Sequence, residues 1–411
     1  MKKGQLEYHI LILVTLALVA FGLVMVYSAT SAKAAIGNGN PMSYLERQGI
    51  YAVLGLVLLA AASRFDYRRL RALAPGLVLV SLGLCLAVLV VAQPVNGARR
   101  WLTLGPATFQ PSELAKVALA IWAAGYLSRR KPPRTLAELV RPVGLLVGLF
   151  CLLILAEPDL GTVIAIVVML AGILLVAGTP LRVLGGGFGI AMSLGLAAIW
   201  FAPYRRARIF SFLHPWKDAQ GAGFQTVQAM IGLGSGGIFG VGLGQGVTKI
   251  NYLPEAHTDM IMAVIGEELG LVGVTAVILA YGAFAYAGLR LALGCKDPFG
   301  KRLAAGLVAL ICGQAVINLA AVLGLAPLTG IPLPFVSYGG SSLVVALASV
   351  GILLNIASGH AVPARAQVPD RSRRDGGTRG ARARSGGRPA LAGSGGELRR
   401  VAGSRRSSAR S

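Results

Sequence analysis

NYLPEAHTDMIMAVIGEELGLVGVTAVILAYGAFAYAGL, residues 251–289, decides the fold. Between Met260 and Leu289 the only charges are Glu267 and Glu268. At about 1.5 Å per residue this run can cross a hydrocarbon core of about 30 Å and still begin outside it. Ahead of it, Glu255, His257 and Asp259 crowd a polar entry, where Pro254 is suited to end the preceding loop. On a helical wheel Ala263, Gly266 and Gly270 fall within about 40° of Asp259. The acid therefore heads a stripe of small residues against which another helix or a lipid chain can lie close. An acid where water meets membrane suits chemistry on a lipid-borne substrate. The plainer alternative is a helix entry in which Asp259 or Thr258 only caps backbone amides.

Outward from this stretch the chain keeps the same character. Mean hydropathy is +0.69, with 55% of residues apolar and 13% charged, which implies a polytopic membrane protein. Ten spans fit, near 9–29, 47–63, 73–92, 111–127, 140–156, 160–178, 183–202, 260–289, 303–325 and 341–358. The first, His9 to Ala29, is too long for a cleaved signal core and stays as an anchor. Cys85, Cys151 and Cys312 lie in apolar runs and Cys295 in a short basic loop, so the four offer no disulfide framework. Alternate loops before the tail collect sixteen basic residues on one side against ten on the other. The positive-inside rule then puts both termini in the cytoplasm of a multi-pass protein of the cytoplasmic membrane. The fold class expected is all-α, about ten transmembrane helices, with a large extracellular loop (about 203–258) between helices 7 and 8. Residues 1–358 form this domain. Residues 359–411, with thirteen arginines among Gly and Ser, form a cytoplasmic tail that cannot bury a core and is expected to be disordered. Its charge suits the anionic lipids of the inner leaflet, and no nucleic acid is expected as a partner.

Three polar stretches then face outward: Pro94 to Gln110, the long loop, and Ala326 to Gly340, which Pro and Gly break too often for a straight helix. Glu113 and Lys116 sit three apart on one face of the fourth span. There they serve a site or simply neutralise each other. Trp101 beside Arg99 and Arg100 reads, on local sequence, as an interfacial anchor. Asp159 in EPDLGT is placed to cap the sixth span. Arg205, Arg206, Arg208, Lys217 and Lys249 bring cations to the outer face against the charge trend, and a lipid pyrophosphate is an anion they could hold. The glycine run Gly232 to Gly246 lacks GxxxxGK[ST] spacing and serves close packing or mobility, not a nucleotide. Glu255, His257 and Asp259 at spacings of two give only a weak metal signal.

FGLVMVYSAT, NGARRWL, FQPSELAK, EPDLGT, PYRRARI, LPEAHTD, GEELG and PLPFVSYGGSS occur in the order seen in the SEDS family (shape, elongation, division, sporulation), over about residues 9–358. LPEAHTD, with Ala256, resembles the cell-division, FtsW-like branch more than the elongation branch. The resemblance implies a peptidoglycan glycosyltransferase that polymerises lipid II into β-1,4 glycan strands at the division septum. It implies that Asp259 is the catalytic aspartate, and that Trp101, Glu113 and Lys116 matter for the substrate, which displaces the anchor reading of Trp101. Arg205, Arg208, Lys249, Glu255, His257 and Ser337 complete the expected substrate-contact set. A class B penicillin-binding protein (a transpeptidase) and other divisome proteins are the partners implied. The sequence names no definite cofactor, and a divalent cation (Mg or Mn) could share the pyrophosphate. At Asn251 some family members carry an acid, and at Thr329 a lysine, so neither is counted as catalytic. The rival readings are a lipid II translocase (flippase) and a non-catalytic division scaffold. The clustering of unusual charges at one face favours the enzyme over a transporter.

Overall fold

A computed structural model describes residues 4–35, 41–94, 98–105, 107–221, 223–250, 253 and 255–361. Asn251, Pro254 and the arginine-rich tail lie outside the described residues. The described residues are mostly helical. In order it forms α1 (Gln5–Ala35), α2 (Pro41–Arg64), α3 (Tyr67–Val91), a hairpin of β1 (Leu102–Leu104) and β2 (Ala107–Phe109), and α4 (Pro111–Ser128). There follow α5 (Leu136–Ala156), α6 (Leu160–Ala177), α7 (Leu181–Trp200), α8 (Pro203–Leu213), α9 (Phe224–Ser235), α10 (Ile261–Gly294), α11 (Pro298–Val322) and α12 (Gly340–Ala361).

The ends follow local chemistry. Asp66, Asp159 and Asp297 cap α3, α6 and α11 with their carboxylates, and Pro111, Pro203 and Pro298 open α4, α8 and α11, where a missing N–H costs nothing. Among the described residues nine helices are long and apolar enough to cross a membrane. The tenth expected span is α4, an 18-residue helix that Glu113 and Lys116 make too polar to count and that its neighbours largely enclose.

The helices α10 and α11 form the hub, each with 67% of its most apolar stretch buried, whereas α7 has 6% and shows its sides to the bilayer. Without a hydrophobic drive between helices in lipid, close approach at small residues does the joining. A side chain at Gly351 of α12 would run into the Leu59 carbonyl of α2. One turn further along α12, Asn355 donates to the Ser63 carbonyl (2.7 Å) and accepts from the Tyr67 amide (3.0 Å), holding the α2–α3 corner.

Three features lie outside what the sequence led us to expect. The first is the β1–β2 hairpin, paired Leu102 with Phe109. The second is that the long loop contains α8, α9 and a short 3-10 turn at Pro215–Asp218. The third is a break in α10 at Gly270, with φ 65° and ψ −160°. At the break the Glu267 and Glu268 carbonyls lose their helical partners and accept instead from the Val241 and Gly242 amides, both at 3.0 Å. In return the Leu271 amide donates to the Gly237 carbonyl at 2.9 Å. The glycine run therefore lies in direct backbone contact with α10, which satisfies polar groups that lipid could not. A Cβ at Gly236 would overlap the Gly266 carbonyl, so only glycine fits there. The small-residue stripe below Asp259 is thus covered by the chain's own loop and not left as an open groove.

Candidate active site

The turn from Glu255 to Met260 delivers Asp259 to the mouth of the hub. Helix α10 begins at Ile261 with Met260 as its cap and no side-chain hydrogen bond to the first turn. Neither Asp259 nor Thr258 caps the helix, so the plainer alternative read from the sequence does not hold. The Asp259 carboxylate accepts a hydrogen bond from the Thr258 hydroxyl at 3.1 Å, and the residue as a whole is half-buried. Burial pushes this carboxyl above the ordinary carboxylate range and Glu255 adds to the rise. The Thr258 hydroxyl, its own backbone amide and the Arg208 charge oppose it.

The turn is held from two sides. Asn318 of α11 donates to the Asp259 carbonyl (2.7 Å) and to the Ile331 carbonyl (2.8 Å), tying the acid to the broken segment 326–339. The Tyr338 amide donates to the His257 carbonyl at 2.8 Å, and Tyr44, His257 and Tyr338 pack ring against ring. Glu255, at φ 55° and exposed, reaches to 3.8 Å from His257 Nε2. Ser337 is buried; its hydroxyl accepts from the Leu333 amide at 2.8 Å, and its carbonyl accepts from Gln48 at 3.2 Å, so it fastens the segment to itself and to α2.

On α8 the two arginines part company. Arg208 lies over Tyr204 (4.7 Å to the ring centroid) and donates to the Leu328 carbonyl (3.2 Å), and its charge acts on the Asp259 carboxyl without an ion pair between them. Arg205 points away, to the Leu155 carbonyl (2.8 Å) and the Ala198 carbonyl (3.1 Å). Burial, with the nearby Arg100 charge, lowers its guanidinium pKa. Arg100 in turn donates to the Glu157 (3.0 Å) and Pro158 carbonyls, which places the adjoining Trp101, half-buried, at the same end of the bundle. Asp159 accepts from Thr162 N (3.0 Å), Thr162 Oγ1 (2.7 Å) and Gln110 (3.1 Å).

Other expected contacts are committed elsewhere. Glu113 and Lys116 form a buried ion pair at 2.8 Å. Lys249 is engaged in the same way: its ammonium donates to Glu268 (2.7 Å), the Gly244 carbonyl (2.9 Å) and Ser28 (3.2 Å). Glu267 accepts from the Val247 amide (2.8 Å) and from Thr248. Asp159, Glu267 and Glu268 therefore all have structural work, whereas among the described residues the one side-chain hydrogen bond to the Asp259 carboxylate comes from its neighbour Thr258. Among the described residues no cluster of three or more His, Cys, Asp or Glu side chains is arranged to hold a metal. Sequence reasoning missed Asn318, although a lone amide in the apolar run AVINLAAV was the available signal.

The family model for cell cycle proteins of the FtsW, RodA and SpoVE group matches residues 8–361. The chain belongs to this family. A probable peptidoglycan glycosyltransferase FtsW of Geobacter sulfurreducens is 40% identical over 352 residues, 85% of this chain and 94% of the other. The stage V sporulation protein E of Bacillus subtilis is 38% identical over 353 residues, 84% of this chain and 96% of the other. Among solved structures, one chain comes from work on the coordination of polymerization and crosslinking by a peptidoglycan synthase complex. It has a TM-score of 0.72 at 35% identity, covering 85% of this chain and 97% of that one. The rod shape determining protein RodA of Thermus thermophilus gives 0.64 at 31% identity, covering 86% and 97%. The family is thus one of multi-pass membrane proteins, in agreement with the helices described above.

Proposed function

We infer that this chain is a peptidoglycan glycosyltransferase of the FtsW type, joining lipid II units into β-1,4 glycan strands at the outer face of the cytoplasmic membrane during division. The observation that carries the mechanism is Asp259, a partly exposed residue at the mouth of the hub whose carboxylate has no capping duty and feels the Arg208 charge. In the step proposed, the acceptor sugar hydroxyl attacks the donor's anomeric carbon. Asp259 takes the hydroxyl proton, the new C–O bond forms, and the bond to pyrophosphate breaks with its electrons leaving on the pyrophosphate. A base is most effective when its pKa approaches the working pH, and burial moves Asp259 in that direction. Pyrophosphate needs little acid assistance, so one carboxylate suffices for inversion. Arg208 is the cation placed to meet the leaving charge. A divalent ion shared with the pyrophosphate would have Asp259 and Glu255 as its carboxylates here and would take its other ligands from the substrate. The crosslinking partner would be a class B penicillin-binding protein, and both termini would lie in the cytoplasm.

The test is polymerisation of purified lipid II in detergent, read as glycan-strand length on a gel. Wild type makes polymer, and a folded Asp259→Asn protein loses about 10²–10⁴-fold in rate, the usual worth of a positioned general base. Undiminished polymer from Asp259→Asn would mean another group is the base. No polymer from wild type, alone or with the transpeptidase, would favour the translocase or scaffold.

A further inference from the structure

At the opposite end of the bundle from Asp259, a pocket of 240 Å³ opens between α3 and the last turns of α4. Arg71, Arg129 and Arg130 line it together with Trp122 and Tyr126. The two rings stack at 5.4 Å with planes 13° apart, and the Arg130 guanidinium lies 4.7 Å over the Tyr126 ring. Gly125 keeps the floor open, since a Cβ there would stand 3.2 Å from Arg71 Cγ. The three arginines are exposed, no carboxylate lines the pocket, and among the described residues none of the three is in an ion pair. Three like charges around one small hollow repel one another unless an anion sits between them.

We propose that this pocket binds the phosphate headgroup of an anionic membrane lipid. Guanidinium forks match phosphate oxygens, and a Trp–Tyr face at the membrane boundary suits the glycerol region. The volume argues for a headgroup alone, because pockets that enclose a whole drug-sized ligand run to about 300–1,000 Å³. The acyl chains would stay outside, along the exposed apolar side chains Leu79, Leu86 and Val90 of α3. The arginine-rich tail has the wrong sign to fill the site. Assignment to the inner leaflet rests on the positive-inside orientation, and the binding itself does not.

The experiment is native mass spectrometry of the purified full-length chain in detergent with phosphatidylglycerol or phosphatidylcholine at equal mole fraction. Wild type should retain phosphatidylglycerol about tenfold over phosphatidylcholine, well within what three arginines can supply toward an anionic lipid. Arg71→Gln/Arg129→Gln/Arg130→Gln should abolish the preference, while Lys131→Gln/Arg134→Gln/Arg182→Gln, an equal charge change outside the pocket, should keep it. Equal retention of the two lipids by wild type, or equal loss in both triple variants, overturns the proposal. Displacement of the lipid by excess inorganic phosphate alone would assign the pocket to a free anion and also overturn it. Should the pocket variant not fold, a protein with Trp101, Trp200 and Trp216 replaced by Phe isolates Trp122. Its fluorescence should then be quenched more by brominated phosphatidylglycerol than by brominated phosphatidylcholine, and equal quenching counts against the site.

Discussion

At the scale of single residues, the two arginines of PYRRARI are separable. Arg208 is the cation proposed to meet the pyrophosphate, so Arg208→Ala should slow transfer by about 1.5–3 kcal/mol, the range for a hydrogen bond to a charged group. The Arg208 charge also holds the Asp259 carboxyl down. Without it that carboxyl titrates at a higher pH, and the acid limb of the pH–rate profile should move upward in Arg208→Ala. An unmoved limb would separate the two groups. Arg205→Ala, which loses bonds to the Leu155 and Ala198 carbonyls, should lower thermal stability and leave the limb in place. Glu157 offers a second titration. Its carboxylate is buried with no hydrogen bond from an N–H or O–H donor among the described residues; only the weak Cys85 thiol lies beside it. Burial, then Asp159, raises it to about 8, against the Arg100 charge. The folded state therefore binds a proton more tightly than the unfolded chain. Stability is fully present below the ordinary glutamate range and is lost as pH rises from about 4.5 to about 8. Glu157→Gln should flatten that slope and raise the unfolding midpoint at pH 8 by about 2–4 °C for each kcal/mol released. A wild-type slope that survives the substitution would place the titrating group elsewhere.

At the scale of elements, the glycine run shows what a sequence can and cannot disclose. Its composition announces close backbone contact, but not that Gly236 and Gly240 lie on the carbonyls of Gly266 and Glu268. That pairing joins segments far apart in the chain and leaves no local trace, since both are plain glycine-rich apolar stretches. For the same reason the outward cations read as one substrate set. Charge against the positive-inside trend marks residues with a job but not which job, and Lys249 serves Glu268. Removing one member of a buried pair costs about 3–5 kcal/mol, while an apolar replacement of both can be neutral. Lys249→Met should therefore unfold at a much lower temperature, and Lys249→Met/Glu268→Leu should recover most of the loss and still polymerise. A double variant that is stable yet inactive would return Lys249 to the substrate. Asp159 is readable from sequence because a cap acts within three residues, and its bonds to Thr162 are local.

At the scale of the whole molecule, the bilayer makes the architecture legible. Hydrocarbon tolerates no unsatisfied backbone, so each span must be a helix of set length, and among the described residues nine of the ten expected spans are apolar enough to be counted that way. The helices inside the long loop are not countable this way, because α8 and α9 are short and need no apolar run to form. The same logic separates the tail. From Pro363 onward it holds thirteen arginines and almost nothing that could join a core, while the site is assembled from α8, α10, α11 and the segment 326–339. Deleting residues 363–411 should thus leave polymerisation by the purified protein within about twofold of intact, because a segment unable to bury apolar surface cannot support the fold. In cells the deletion is free to change abundance or placement, since thirteen arginines attract anionic lipid headgroups whatever the enzyme does. The assay is therefore run in detergent, where that attraction is absent. A well-folded truncation that makes no polymer would show that the tail contributes to catalysis after all.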